Sequence, residues 1–327
     1  MNKHILAGLL FLFFFCTGIS RAQQQALYSQ YMLNEYLINP AVAGDDGYTS
    51  INFTARDQWV GIENSPKTFS VGIQTRLLKR NYIIKNNIFL KKKTVLPGRS
   101  GRVGLGAAIY NDRNGLINRT GFQGTYAYHI FIRSSQLSFG LTGSAFQFRI
   151  LDNIQIHDPS DPIINSGLRR SLIVPDASAG IYLSNDHYYT GASVTQLFQS
   201  ILKFGNSDLK GYKMCRCYYF MGGYRFELSP DYDLEPSLLV MSPENLLAQA
   251  DINCKLYYLK DFWGGLSYRT NKTFVAMAGM RINRLYIGYS FDYTLSSLRR
   301  QSFGSHEITI ALKYGDNARR FLWLNRY

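Results

Sequence analysis

The chain has 327 residues, 36 Lys+Arg against 22 Asp+Glu and a formal net charge of +14, and 46% of it is hydrophobic, with 24 Tyr and 21 Phe. That apolar and aromatic content excludes a disordered chain, and beyond the N-terminal stretch no run approaches the ~18 apolar residues of a membrane helix. What remains is a soluble all-β domain or a barrel in an outer membrane.

Residues 1–22 read as a cleavable signal peptide. Lys3 and His4 open it, Ile5–Cys16 is its apolar core, and Ser20-Arg21-Ala22 supplies small residues for cleavage. Its loss would remove Lys3 and Arg21 and leave a net charge of +12 (14 − 2). It would also remove Cys16, leaving Cys215, Cys217 and Cys254, an odd set that builds no complete disulfide framework. Cys215 and Cys217 are expected to share one face of a strand. His129, His157, His187 and His306 are scattered without pairing, so neither a metal site nor a cofactor is expected.

Residues 23–47 are not strand-like. A short helix is expected over Ala26–Ile38, with Leu27, Tyr31 and Met32 on one side, and Pro40 ends it by lacking a backbone donor. Gly44-Asp45-Asp46-Gly47 then turns the chain into the first strand. An apolar segment ahead of a barrel either folds into the lumen or docks at the periplasmic rim.

From there the sequence alternates with period two. Leu285, Ile287, Tyr289, Phe291 and Tyr293 interleave with Tyr286, Gly288, Ser290 and Asp292; His306, Ile308, Ile310, Leu312 and Tyr314 interleave with Ser305, Glu307, Thr309, Ala311 and Lys313. Such spacing gives each strand one apolar and one polar face. About fourteen strands follow by these signals, near 48–56, 67–77, 101–111, 119–131, 135–149, 176–185, 187–196, 215–228, 232–241, 246–258, 261–271, 273–283, 285–294 and 304–314. Most have the roughly ten residues that a tilted strand needs to cross a bilayer. With the mature N-terminus placed in the periplasm, the inside connections 132–134, 186, 229–231, 259–260 and 284 are tight, with 78–100 the exception. The outside ones at 57–66, 112–118, 150–175, 197–214 and 295–303 are longer. Outer-membrane barrels sort their loops this way, and strands this long are unusual in soluble sheets. The expected fold is a transmembrane antiparallel β-barrel over 48–314, with a basic tail at 315–327.

The 78–100 connection carries Lys79, Arg80, Lys91, Lys92 and Lys93 among seven basic residues and no acid. It is a solvated loop, or a contact for an acidic periplasmic partner or lipid phosphate; nucleic acid is not an expected partner of an exported barrel. No catalytic residues stand out, since Gly-x-Ser-x-Gly, phosphate-cradling and His-x-x-x-His patterns are all missing from the sequence. Asp158 and Asp161 sit in a proline-flanked stretch that reads as an external loop rather than a calcium site. His306 and Glu307 fall on opposite faces of one strand and make a poor acid–base pair.

Three ordered blocks carry a family resemblance. Tyr28-Ser29-Gln30-Tyr31-Met32-Leu33-Asn34 with Asn39-Pro40-Ala41-Val42-Ala43-Gly44 opens it. Arg56-Asp57-Gln58-Trp59 with Pro66-Lys67-Thr68 follows, and Gly304-Ser305-His306-Glu307-Ile308 closes it. Together they resemble the PorP/SprF family of outer-membrane proteins of the Bacteroidota, tied to type IX secretion and gliding motility. The resemblance implies a barrel that is not an enzyme and that works beside the type IX translocon. It would receive secreted proteins through their C-terminal secretion domain and hold them at the surface, sometimes linked to a periplasmic peptidoglycan-binding partner. Tyr31, Asn34, Asn39, Pro40 and Gly44 would carry the first motif, and Arg56, Gln58 and Trp59 the second, as partner contacts or internal braces. Val42 departs from the pattern where an aromatic is common, and Gly315–Tyr327 extends past the usual terminal strand.

The alternative is a diffusion porin or ligand transporter. Arg102, Arg149, Arg225, Arg269 and Arg281 suggest a one-sidedly basic lumen, which would favour anions.

Overall fold

Alternation acts here through the pleat, which sends successive side chains to opposite sides of the wall. The computed structural model describes residues 28–77, 102–115, 117–132, 134–150, 171–202, 212–244 and 247–314. The strands are β1 (Thr49–Asp57), β2 (Lys67–Leu77), β3 (Val103–Asn114), β4 (Ile117–Ile132), β5 (Ser135–Ile150), β6 (Ser171–Ser184) and β7 (Tyr188–Thr195). Then come β8 (Cys217–Tyr224, continued as Phe226–Ser229), β9 (Tyr232–Pro243), β10 (Gln249–Tyr258), β11 (Phe262–Arg269), β12 (Thr273–Ile282), β13 (Leu285–Thr294) and β14 (Ser305–Tyr314). Each pairs antiparallel with its sequence neighbours, and β1 pairs with β14 from Thr49↔Tyr314 to Asp57↔His306. The sheet therefore closes into a fourteen-stranded barrel without an edge along β1 and β14.

The outer face is apolar and the inner face polar. Phe53, Val71, Ile109, Leu141, Ile252, Leu266 and Ile308 project outward, exposed. Ser50, Asn52, Thr54, Arg56, Asp251, Asn253, Lys255 and Thr309 of the same strands are buried inside. Exposed apolar side chains in such a continuous band need hydrocarbon to cover them. Aromatic rings gather toward both rims: Tyr232 and Tyr258 stand 5.0 Å apart at one, Tyr268 and Phe274 5.0 Å apart at the other. Rings with polar tips suit the headgroup levels of a bilayer. Loop sorting holds for most connections, with one correction. β3 runs to Asn114 and β4 starts at Ile117, so the longer loop expected over 112–118 is a two-residue hairpin built on Gly115 at φ 61°. A left-handed glycine suits such a turn.

β3 to β6 are 12, 16, 16 and 14 residues long against 8 for β7. Because β4 and β5 meet at a tight turn at one end, their extra length rises at the other end, where the longer connections lie. The wall is thus tall on one side and low on the other.

The N-terminal segment departs from the expected single helix. It makes three short pieces: a 3-10 turn Tyr31–Leu33, α1 (Glu35–Ile38) and a 3-10 turn Pro40–Val42. Breaks at Asn34 and Asn39 let side chains on several sides of the chain meet a cylindrical wall, which one straight helix would not. Tyr28 lies in the half of the barrel with the longer connections, beside Tyr110 and Asp112. Cys217 starts β8 and Cys215 precedes it outside regular structure, so the two do not share a strand face. The expected signal peptide over 1–22, Lys79, Arg80, Lys91, Lys92 and Lys93, the Asp158–Asp161 stretch and the 315–327 tail lie outside the described residues.

Candidate functional site

Residues 28–47 run down the inside of the barrel, from the long-loop half to the tight-turn rim, and the wall meets them with hydrogen bonds at every level. Near the long-loop end, the backbone N–H groups of Ser29 and Gln30 donate to the two oxygens of Glu307 at 2.7 and 2.8 Å. Arg56 bridges three partners. Its Nη1 donates to Glu307 at 2.9 Å and to Ser29 Oγ at 2.6 Å, and its Nη2 donates to Asp292 at 2.7 Å. Arg269 holds Asp251 at 2.9 Å and reaches Asp292 at 3.4 Å. Arg56, Arg269, Asp251, Asp292 and Glu307 are all at most 4% exposed, so each charge needs a partner to offset its desolvation.

Midway, Asn34 donates to Thr54 at 2.6 Å, Asn52 donates to the Leu33 carbonyl at 2.7 Å, and Asn253 donates to the Tyr31 hydroxyl at 3.0 Å. Asn39 donates to the Ile181 carbonyl at 3.0 Å while its Oδ1 accepts from Ala41 N–H at 3.0 Å, capping the second 3-10 turn with Pro40 at its first position. At the tight-turn rim, Gly44 at φ 74° donates to Gln74 at 3.1 Å, Gln136 donates to Asp45, and Lys313 pairs with Asp46 at 3.0 Å.

Room for this segment comes from glycines on the inner wall. A Cβ on Gly104 would lie 1.9 Å from the Ala43 carbonyl oxygen, one on Gly140 2.2 Å from the backbone of Pro40 and Ala41, and one on Gly180 2.0 Å from Asn39. Backbone cannot swing aside as a side-chain tip can. Replacing Gly140 with valine is therefore expected to push the segment off the wall and destabilise the docked state by about 1–3 kcal/mol. The check is protease sensitivity of residues 28–47 in folded, detergent-solubilised barrel, which should rise in Gly140→Val and stay unchanged in Gly124→Val, whose Cβ meets nothing within 4 Å.

Residues 20–312 match a family model described as type IX secretion system membrane protein PorP/SprF. The chain belongs to the PorP/SprF family. No curated protein matches it. Among solved structures, the toluene transporter TbuX of Ralstonia pickettii is 12% identical, with 85% of this chain and 93% of that one covered at a TM-score of 0.46. The Acinetobacter baumannii outer membrane protein Omp33 is 5% identical, covering 82% and 100% at 0.44, and the KdgM porin is 10% identical, covering 81% and 99% at 0.36.

In this PorP/SprF protein the motif residues separate into two places. Tyr31, Asn34, Asn39, Pro40 and Gly44 lie in the lumenal segment, and Arg56 faces them from the wall. Gln58 and Trp59 belong to the β1–β2 loop at the long-loop rim. Gln58 N–H donates to the Pro66 carbonyl at 2.9 Å, and Trp59, at φ 55°, donates its N–H to Ser305 Oγ at 3.0 Å. The second and third blocks meet directly, since Arg56 is the cross-strand partner of Glu307 where β1 closes on β14. Glu307 does point away from His306, whose ring takes the outer face with Tyr289 at 2.7 Å. Asp251, Asp292 and the wall glycines went unremarked as site residues in the sequence, and Arg269 figured there only as a lumenal cation. Their only signal was a charge or a missing side chain on the polar face of a strand.

The expectation of a one-sidedly basic lumen is corrected. Arg269 pairs with Asp251 and Asp292, Lys255 with Glu235 at 2.8 Å, Arg225 with Asp233 at 3.8 Å, and Arg281 with Asp261 at 2.8 Å; Arg149 and Arg102 are exposed. Carboxylates on neighbouring strands supply the counter-charge that burial demands: Glu235 is the cross-strand partner of Lys255, and Asp251 that of Arg269. Above the segment, toward the long loops, Tyr28, Ile38, Arg119, Asp176 and Tyr219 border a cavity of about 150 Å³. Below it, on the β8–β13 side, lies another of about 310 Å³. Among the described residues none lines both.

Proposed function

We propose that this barrel is a docking component of type IX secretion that receives secreted proteins by their C-terminal domain at its long-loop mouth and helps deliver or anchor them at the cell surface. The tight-turn rim then faces the periplasm, where translocon components or a peptidoglycan-binding protein make contact. The observation that carries this reading is the filled lumen. A segment hydrogen-bonded to the wall at each level serves a closed scaffold better than a passage for solutes. The tall β3–β6 wall and the longer loops beside it give the mouth one raised flank, a surface that an emerging folded domain meets before it reaches the lower strands. Diffusion or ligand transport needs a water path past residues 28–47, and none is favoured by their packing.

Affinity purification of a tagged full chain from outer membranes, followed by mass spectrometry, tests this. Secreted proteins bearing type IX C-terminal domains should be enriched over an unrelated barrel control, and protease shaving of the external loops on intact cells should remove that enrichment. Recovery of lipid alone, or capture that survives shaving, counts against the proposal.

A further inference from the structure

The lumenal segment sits off-centre. The wall glycines that admit it are mostly on β2, β3, β5, β6 and β7, and on the opposite side the lumen opens at the tight-turn end into the cavity of about 310 Å³. That volume is at the lower end of pockets that bind small ligands or one or two peptide side chains. Its lining combines cations with aromatic faces. Arg225, Lys255, Lys260 and Arg281 line it, and no carboxylate does. Asp233, Glu235 and Asp261 are the ion-pair partners of Arg225, Lys255 and Arg281 without lining the cavity themselves. The lining is built rather than incidental. The Arg225 guanidinium lies 5.0 Å and the Lys255 ammonium 5.3 Å from the centre of the Tyr257 ring, and Lys255 donates to the Tyr257 hydroxyl at 2.9 Å. Trp263 is laid against β12 and β13 through glycines, since a Cβ on Gly279 would come within 2.4 Å of the indole and one on Gly288 within 3.1 Å.

We infer that this cavity is a binding site for a carboxylate-bearing peptide whose aromatic or aliphatic side chain lies on Trp263 and whose acid meets Arg281, Lys260 and Arg225. Fixed cations over a flat apolar floor recognise an acid joined to an apolar group better than either alone. Arg225, Lys255 and Arg281 face the lumen and Lys260 lies exposed in the β10–β11 turn at its rim, while Phe226, Leu256 and Tyr258 face outward, exposed. A lipid headgroup held at the outer surface therefore does not reach the three lumenal cations, whereas a soluble chain entering at the tight-turn rim does. The inference does not depend on how secreted proteins are handled at the other end.

The chain has three tryptophans, so Trp59→Phe with Trp323→Phe leaves Trp263 as a lone fluorescent reporter. Detergent-solubilised full-length barrel with these two changes is titrated with N-acetyl-Phe-Asp-Glu amide, its neutral isostere N-acetyl-Phe-Asn-Gln amide, inorganic phosphate and glucuronate. Expected is saturable quenching by the acidic peptide, weakened roughly tenfold or more by Arg281→Gln, a loss of about 1.4 kcal/mol, and weakened by added salt. Should Arg281→Gln fail to give a heat-modifiable barrel, Lys260→Gln in the β10–β11 turn carries the same test. An equal response to the neutral isostere, or no saturation by about 10 mM peptide, overturns the site. Phosphate or glucuronate binding as tightly as the peptide overturns its assignment to a peptide.

Discussion

Removing residues 28–44 converts the barrel into a pore. Fourteen strands enclose a cylinder wider than side chains alone can fill, and in this protein the space is taken by Tyr31, Met32, Tyr36, Ile38, Ala41 and Val42, all buried against the wall. With them gone, the inner surface left behind carries Ser, Thr, Asn, Gly and paired charges beside a few apolar side chains such as Met221, Leu239 and Val275, and water wets its polar groups readily. In planar bilayers the deletion variant should show large, stepwise openings, and the intact protein should show none. Heat-modifiable migration of the variant confirms that a barrel has formed. A folded deletion variant that stays silent would mean that the external loops, rather than the lumenal segment, close the lumen.

Arg56 is the residue on which the docking of that segment most depends. It touches Ser29, Asp292 and Glu307 within 2.9 Å and is 3% exposed. Arg56→Met keeps much of the bulk but leaves two carboxylates buried beside each other with one cation fewer. Breaking a buried pair in this way costs about 3–5 kcal/mol. At ~3 kcal/mol the undocked population rises by roughly 100-fold, enough to be read as faster hydrogen exchange over residues 29–46. Lysine in its place recovers only part of the loss, because an ammonium does not present the planar fork that spans Asp292 and Glu307. Replacing Asp292, Glu307 and Arg56 together with apolar residues of similar volume should not restore the docking, because the buried N–H groups of Ser29 and Gln30 then lose their acceptor. Protection in Arg56→Met equal to that of the parent would show that the glycine-lined packing, not the charge cluster, holds the segment.

The barrel was legible because its physics is local. Period-two alternation at Leu285–Tyr293 and Ser305–Tyr314 names the hydrocarbon side residue by residue, and turn residues mark the connections; a pleated strand has no other way to present those side chains. Where turn length was misjudged, at 112–118, a polar Asn-Asp-Arg-Asn stretch continued the strand because β3 and β4 stay paired out to Asn114↔Ile117. The lumenal site was legible only in part. Arg56 and Glu307 stood out in the sequence, 251 positions apart, without any sign that they are cross-strand neighbours. Sequence alone determined the closed apolar cylinder, its strand count and the non-strand character of residues 28–47. Only the tertiary structure decided that this segment crosses the lumen, which glycines make way for it and which acid answers each arginine. Those contacts depend on strand register and, for Arg56 with Asp292 and Glu307, on closure of the barrel between its first and last strands, and no periodicity records them.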